Sequence, residues 1–150
     1  TRPSLARFFP DTEAQKIVST IIEKASSDGG APVAIAVVDF AGRLVAFTAM
    51  DHVIPACIKL AQSKAYSAVI GKNDTINWAS KPKSPDTIDF DMRNWTDPNF
   101  TGFTGGIVIK FGTEIIGAIG VSGRKGIQNE RDSLLQDSEL AQLGLAIIKF

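Results

Sequence analysis

A chain of 150 residues with 44% hydrophobic and 21% charged residues has the size and balance of one folded domain, which argues against disorder. Its 16 Lys and Arg cancel its 16 Asp and Glu, so nothing global points to nucleic acid or an anionic membrane surface. A single cysteine, Cys57, excludes an internal disulfide and a multi-cysteine metal site, and no apolar run approaches a membrane span.

Residues 1–11 read as an amino-terminal arm, with Phe8 and Phe9 as anchors. Thr12 followed by Gln15 fits a capping box, and Ile17, Val18, Ile21, Ile22 and Ala25 then recur at helical spacing. Val33 to Val38 is an apolar run of strand length; Asp39 to Gly42 supplies a turn and Leu44 to Phe47 returns as its partner. Pro55 suits the first turn of a second helix with Ile58, Ala61, Ala65, Ala68 and Val69 on its apolar side and Gly71 at its end.

Residues 72–103 read as a long loop, polar, broken by Pro82, Pro85 and Pro98, and carrying Trp78, Phe90, Trp95, Phe100 and Phe103 without a period. Such loops are often lids or binding segments; the alternative is an excursion whose aromatics anchor it to the core. Thr104 to Gly123 holds two β-branched runs around Phe111-Gly112-Thr113, a hairpin signal, with Gly117 and Gly120 marking close approach of a backbone or ligand. A last helix runs from near Ser133 to Lys149, with Leu140, Leu143, Ile147 and Ile148 facing inward. Helices separating hairpin-linked strands predict one α+β domain with a mostly antiparallel sheet.

His52 is the only histidine, so any Ser-His-Asp or Cys-His chemistry must use it, and a multi-histidine metal site is excluded. It is a candidate haem axial ligand or general base, with Asp51 placed to orient its ring; a plain loop histidine is the other reading. Cys57 lies near a helix start, where thiolates are stabilised, although buried inert cysteines are commoner. Lys64 interrupts a small, apolar helix face and either holds a carboxylate or phosphate or snorkels to solvent. Ser122, between Gly120 and Gly123, sits where glycine-rich backbone is able to approach an anion. Gly117, Gly120 and Gly123 match neither a dinucleotide fingerprint nor a phosphate loop. Arg124, Lys125 and Arg131 form a basic cluster for an anionic ligand, or solvated loop charge.

Several strings together resemble the GlcG/HbpS family of haem-degrading or haem-binding type, which includes the PduO carboxy-terminal domain. They are Pro32-Val-Ala-Ile-Ala-Val-Val-Asp39, Leu44-Val-Ala-Phe47, Met50-Asp51, Ile58-Lys-Leu-Ala61, Lys64-Ala-Tyr-Ser-Ala68, Gly105-Gly106, Gly117-Ala-Ile-Gly-Val-Ser-Gly123 and Gln136-Asp137-Ser-Glu-Leu-Ala141. The resemblance implies a profilin-like three-layer domain with a five-stranded antiparallel sheet between helices, homo-oligomers of dimer size or larger, and haem or another tetrapyrrole as ligand. The chain departs from the family pattern in three places: Ala49 stands where Arg is usual, Cys57 where Ser is common, and an added loop, 124–135, follows Gly123.

The expected function is therefore small-molecule binding with haem or another tetrapyrrole as the ligand class, and His52, Lys64, Ser122 and Arg124 as ligand-binding candidates. The second expectation is a cofactor-free isomerase, cyclase or lyase acting on a small carbonyl or carboxylate compound, with His52 as acid/base and Asp51 supporting it. Expected partners are a small molecule and further copies of the chain, with no nucleic acid and no membrane. The expected compartment is the cytoplasm; the glycosylation sequons at Asn73, Asn94 and Asn99 keep secretion as the other reading.

Overall fold

In a computed structural model, residues 10–79, 97–124 and 135–148 are described. Most of the arm at 1–11, the centre of the long loop at 72–103, and residues 125–134 of the added loop, with Lys125 and Arg131, lie outside them.

Helix α1 spans Asp11–Ser27 and buries Ala14, Ile17, Val18, Ile21 and Ala25, the periodic face expected. It starts two residues earlier than a cap at Thr12 would allow. Pro10 is the cap, its carbonyl accepts from the N–H groups of Glu13 and Ala14, and no side chain caps the end. Strands β1 (Ala34–Asp39) and β2 (Leu44–Ala49) form the first hairpin. Its turn is held by Asp39, whose carboxylate accepts from the N–H groups of Ala41 and Arg43 and from Arg43 Nε. Helix α2 spans Pro55–Gly71 with Pro at its start, where the missing N–H costs nothing, and it ends on Lys72 in the left-handed conformation.

A short helix α3, Ile76–Ala79, interrupts the expected long loop. Strands β3 (Gly106–Phe111) and β4 (Glu114–Ser122) form the second hairpin around Gly112 and Thr113. Helix α4 is Asp137–Ala146, shorter than the 133–149 expected. Here the capping box is real: the Gln136 side chain caps the end and the Glu139 side chain accepts from the Gln136 N–H at 3.0 Å. Ile147 and Ile148 follow the helix rather than belong to it, yet still pack on the core.

The sheet is antiparallel throughout, in the order β2-β1-β4-β3. It has four strands among the described residues, not the five expected. The free edge of β3 is taken by the chain leaving α2: the Thr75 hydroxyl accepts from the Gly106 N–H, Thr75 N–H donates to the Gly106 carbonyl, and the Asp74 carboxylate accepts from the Val108 N–H. Side-chain acceptors thus satisfy edge groups that a fifth strand would pair.

The pleat divides the sheet chemically. Ile35, Val37, Ile107, Ile109, Ile119 and Val121 pack with α1 and α4 in one core. Ala34, Ala36, Val38 and Ala118 face Ala61, Ala65, Ala68 and Val69 of α2 in another. Helices therefore cover both faces. The α2 face is lined by small residues, so this helix lies close against the strands. A Cβ on Gly120 would collide with the Ala61 carbonyl, and one on Gly106 with that of Lys64. Of the two glycines expected to mark a close approach, Gly117 and Gly120, Gly120 does so, and the partner is backbone.

Candidate functional site

The close packing of α2 carries Lys64 across the end of β4. Its stem passes Gly105, where a Cβ would stand 3.1 Å from Lys64 Cδ and also from Asp137 Cβ. The ammonium donates to the Val121 carbonyl at 2.9 Å and to Asp137 Oδ2 at 3.0 Å. Both side chains are buried, 4% and 10% exposed. An ammonium has three N–H donors, so one remains for something beyond the described protein groups.

The pair floors a cleft of about 280 Å³ walled by Ile54, Cys57, Leu60 and Phe103, with Ser122 and Gly123 at the end of β4. Ser122 is 3% exposed, and its hydroxyl makes no hydrogen bond among the described residues. Ile54 and Phe103 are 63% and 64% exposed, so the mouth is apolar while the floor is polar.

A second buried ion pair lies behind the first. Arg124 directs all five guanidinium N–H groups to protein: Nε to the Ala31 carbonyl, Nη1 to Asp28 Oδ2 and the Leu135 carbonyl, Nη2 to Asp28 Oδ1 and the Ala25 carbonyl. Its backbone N–H donates to Asp137 Oδ1 at 2.9 Å. One residue thus ties the end of α1, the start of β1, the end of β4 and the start of α4 together. It also fixes the carboxylate that fixes Lys64.

The two carboxylates respond oppositely. Burial pushes the Asp28 carboxyl up, but the hydrogen bonds from Arg124 and from the Gly30 N–H and the nearby charges of Arg124 and Lys24 outweigh it, and the result is lowered. Burial dominates at Asp137 and raises its carboxyl despite the Lys64 charge and the Arg124 N–H.

Of the candidates read from the sequence, Lys64, Ser122 and Arg124 meet at this cleft. The Arg124 head is saturated by protein acceptors, so it braces the cleft instead of reaching into it. Cys57 is buried and lines the wall. His52 and Asp51 are exposed in the turn between β2 and α2, His52 at a left-handed φ of 69°, and neither lines the cleft. Ile54, two residues after His52, is the nearest lining residue in sequence. Asp28 and Asp137 were not singled out as site residues. A lysine on a buried helix face calls for a counter-charge, but spacing cannot say that it comes from 73 residues away. Among the described residues no group of three or more His, Cys, Asp or Glu forms a metal site, and no helix is long and apolar enough to cross a membrane.

Fold and site together define an α+β protein whose antiparallel sheet ends in a cleft with an apolar mouth and a charged floor. A family model described as "Haem degrading protein HbpS-like" matches residues 9–133, and the chain belongs to that family. The chain is 30% identical over 112 residues to "Protein GlcG" of Escherichia coli (strain K12), covering 73% of this chain and 80% of that protein. A double mutant of HbpS from Streptomyces reticuli has the same fold, with a TM-score of 0.75 at 24% identity over 95% of this chain and 88% of that one. So does a PduOC:heme complex, with a TM-score of 0.75 at 22% identity over 91% of this chain and 92% of that one. Asp137 lies beyond the segment matched by the family model.

Proposed function

We propose that this protein binds a small molecule in the cleft between α2 and the end of β4, with haem or another tetrapyrrole as the ligand class. The observation that carries the reading is the combination of an apolar mouth with unused polar capacity on a buried floor: the third Lys64 N–H and the Ser122 hydroxyl. No buried side-chain N or O among the described residues lacks a partner, so these groups are spare capacity at the cleft and not a buried deficit. The haem of the related PduOC complex supports the choice of ligand class.

The residues fit part of a haem. Ile54, Leu60 and Phe103 suit an apolar ring edge and Lys64 a propionate. A volume of about 280 Å³ is below the usual range for enclosing a drug-sized ligand, so the cleft takes an edge and leaves the rest of the ring outside. Bound haem supplies a redox-active iron whose properties follow its axial ligand. His52 is the proposed iron ligand, approaching from the turn that leads into Ile54.

Titration of haem into the purified protein tests the reading: a Soret shift that saturates at one haem per chain is expected, altered in His52→Ala. No shift removes the ligand class, and a shift unchanged in His52→Ala removes His52 as the ligand. The acid/base reading has less behind it, because no hydrogen bond to Asp51 orients the His52 ring among the described residues. The helix–sheet–helix layering supports a profilin-like assignment, and a homo-oligomer of two or more copies in the cytoplasm is proposed with it. Sedimentation equilibrium checks the copy number.

A further inference from the structure

We propose that the cleft floor is a carboxylate subsite: a ligand carboxylate accepts from Lys64 Nζ and from the Ser122 hydroxyl, its apolar body lying against Ile54, Leu60 and Phe103. This deepens the small-molecule reading and rests on it. Three features specify the subsite. The ammonium is held by two fixed acceptors, Val121 O and Asp137 Oδ2, so the direction of its remaining donor is fixed too. The Ser122 hydroxyl lines the same cleft, 3% exposed and without a protein partner among the described residues. Asp137 offsets the Lys64 charge and its other oxygen is held by the Arg124 N–H, so what the floor has to spare is a hydrogen-bond donor rather than net charge. Arg124 cannot compete for the ligand, because its donors are all engaged.

A carboxylate in this position shares the Lys64 ammonium with Asp137. Two acceptors on one ammonium lie about 5 Å apart, close enough for like charges to repel in a poorly solvated floor. Asp137 faces Lys64 from α2 and the Arg124 N–H from the end of β4, with Asp28 behind Arg124 and the Cys57 thiol on the cleft wall. Of the carboxylates, Asp28 is locked onto Arg124, so Asp137 is the one that takes up a proton when the ligand enters. Binding then tightens as pH falls, by at most tenfold per pH unit for one proton.

The test compares haem with its dimethyl ester, which keeps the ring and iron but lacks carboxylates. The wild-type protein is expected to bind haem at least tenfold more tightly than the ester, with the preference growing as pH falls from 8 to 6. Ser122→Ala is expected to narrow the preference several-fold. The double variant Lys64→Met with Asp137→Leu, which leaves no unpaired buried charge, is expected to abolish it. Equal binding of haem and ester by the wild type overturns the subsite and leaves the tetrapyrrole reading standing. If neither binds, the tetrapyrrole reading fails. The subsite is then decided by 1-naphthoate against 1-naphthamide, read from amide shifts of Ser122 and Gly123: preference for the carboxylate upholds it, and equal or absent shifts overturn it.

Discussion

The two faces of the sheet do different work. The face under α1 and α4 is built from Ile and Val, whose bulk keeps the helices at ordinary distance and supplies most of the buried apolar volume. The centre of the face under α2 is mostly Ala and Gly, so the helix backbone approaches the strands and adds less volume. That closeness lets one lysine from α2 reach over the end of β4 to Asp137. Each face also borders a buried ion pair, and the pairs differ in the same sense. Arg124–Asp28, on the large-residue side, is complete. Lys64–Asp137, at the α2 side, retains a donor. One region fixes the architecture; the other is left with chemistry to offer.

The contrast is open to direct attack. Arg124→Met removes five hydrogen bonds and leaves Asp28 buried without its partner, which is expected to destabilise the fold by about 4 kcal/mol in denaturant unfolding. A loss below about 1 kcal/mol would mean that the brace is dispensable. Gly120→Ala drives a methyl group into the Ala61 backbone and is expected to cost about 3 kcal/mol, with α2 displaced. The neighbouring Ile119→Val, on the opposite face, trims one methylene and is expected to cost about 1 kcal/mol. Similar losses for the two would erase the distinction between the faces.

Acid sharpens the comparison of the ion pairs. The Asp28 carboxyl is lowered from 3.8 in the folded state, so its stabilising contribution is complete above that value and is lost as pH falls through the lowered one. The stability gap between wild type and Asp28→Asn is therefore expected to be widest above pH 4 or so and to shrink toward pH 2. Asp137, raised by burial, has the opposite sign: its contribution is present below the ordinary carboxylate value and declines as pH rises through the raised one. Denaturant midpoints of the two single Asn variants across pH 2–7 should diverge in opposite directions. Parallel curves would show that the two carboxylates sit in equivalent surroundings.

The second hairpin was fully legible, because β-branched runs around Gly112 and Thr113 have one low-energy arrangement. The first helix was legible in its face but not its start, because Thr12 fits a capping box in sequence while Pro10 caps the end in space. The four strands were legible; the fifth, expected only from family resemblance, is not found among the described residues, where Asp74 and Thr75 meet part of the β3 edge. At the site, Lys64 and Ser122 stood out as polar residues among small apolar ones. The role of Arg124 did not, since a basic residue after a strand reads as loop charge until the carbonyls of Ala25, Ala31 and Leu135 are seen around it.

Sequence alone determined what short-range physics controls: periodicity sets each element and its buried face, and turn residues set the hairpins. The tertiary structure decided everything that depends on long-range juxtaposition. It placed His52 and Asp51 in solvent, turned Arg124 inward onto Asp28, and closed Lys64 onto Asp137 across 73 positions of chain. The reason is that a buried charge is specified by its partner, and the partner is chosen by how helices pack on the sheet, which no local spacing encodes.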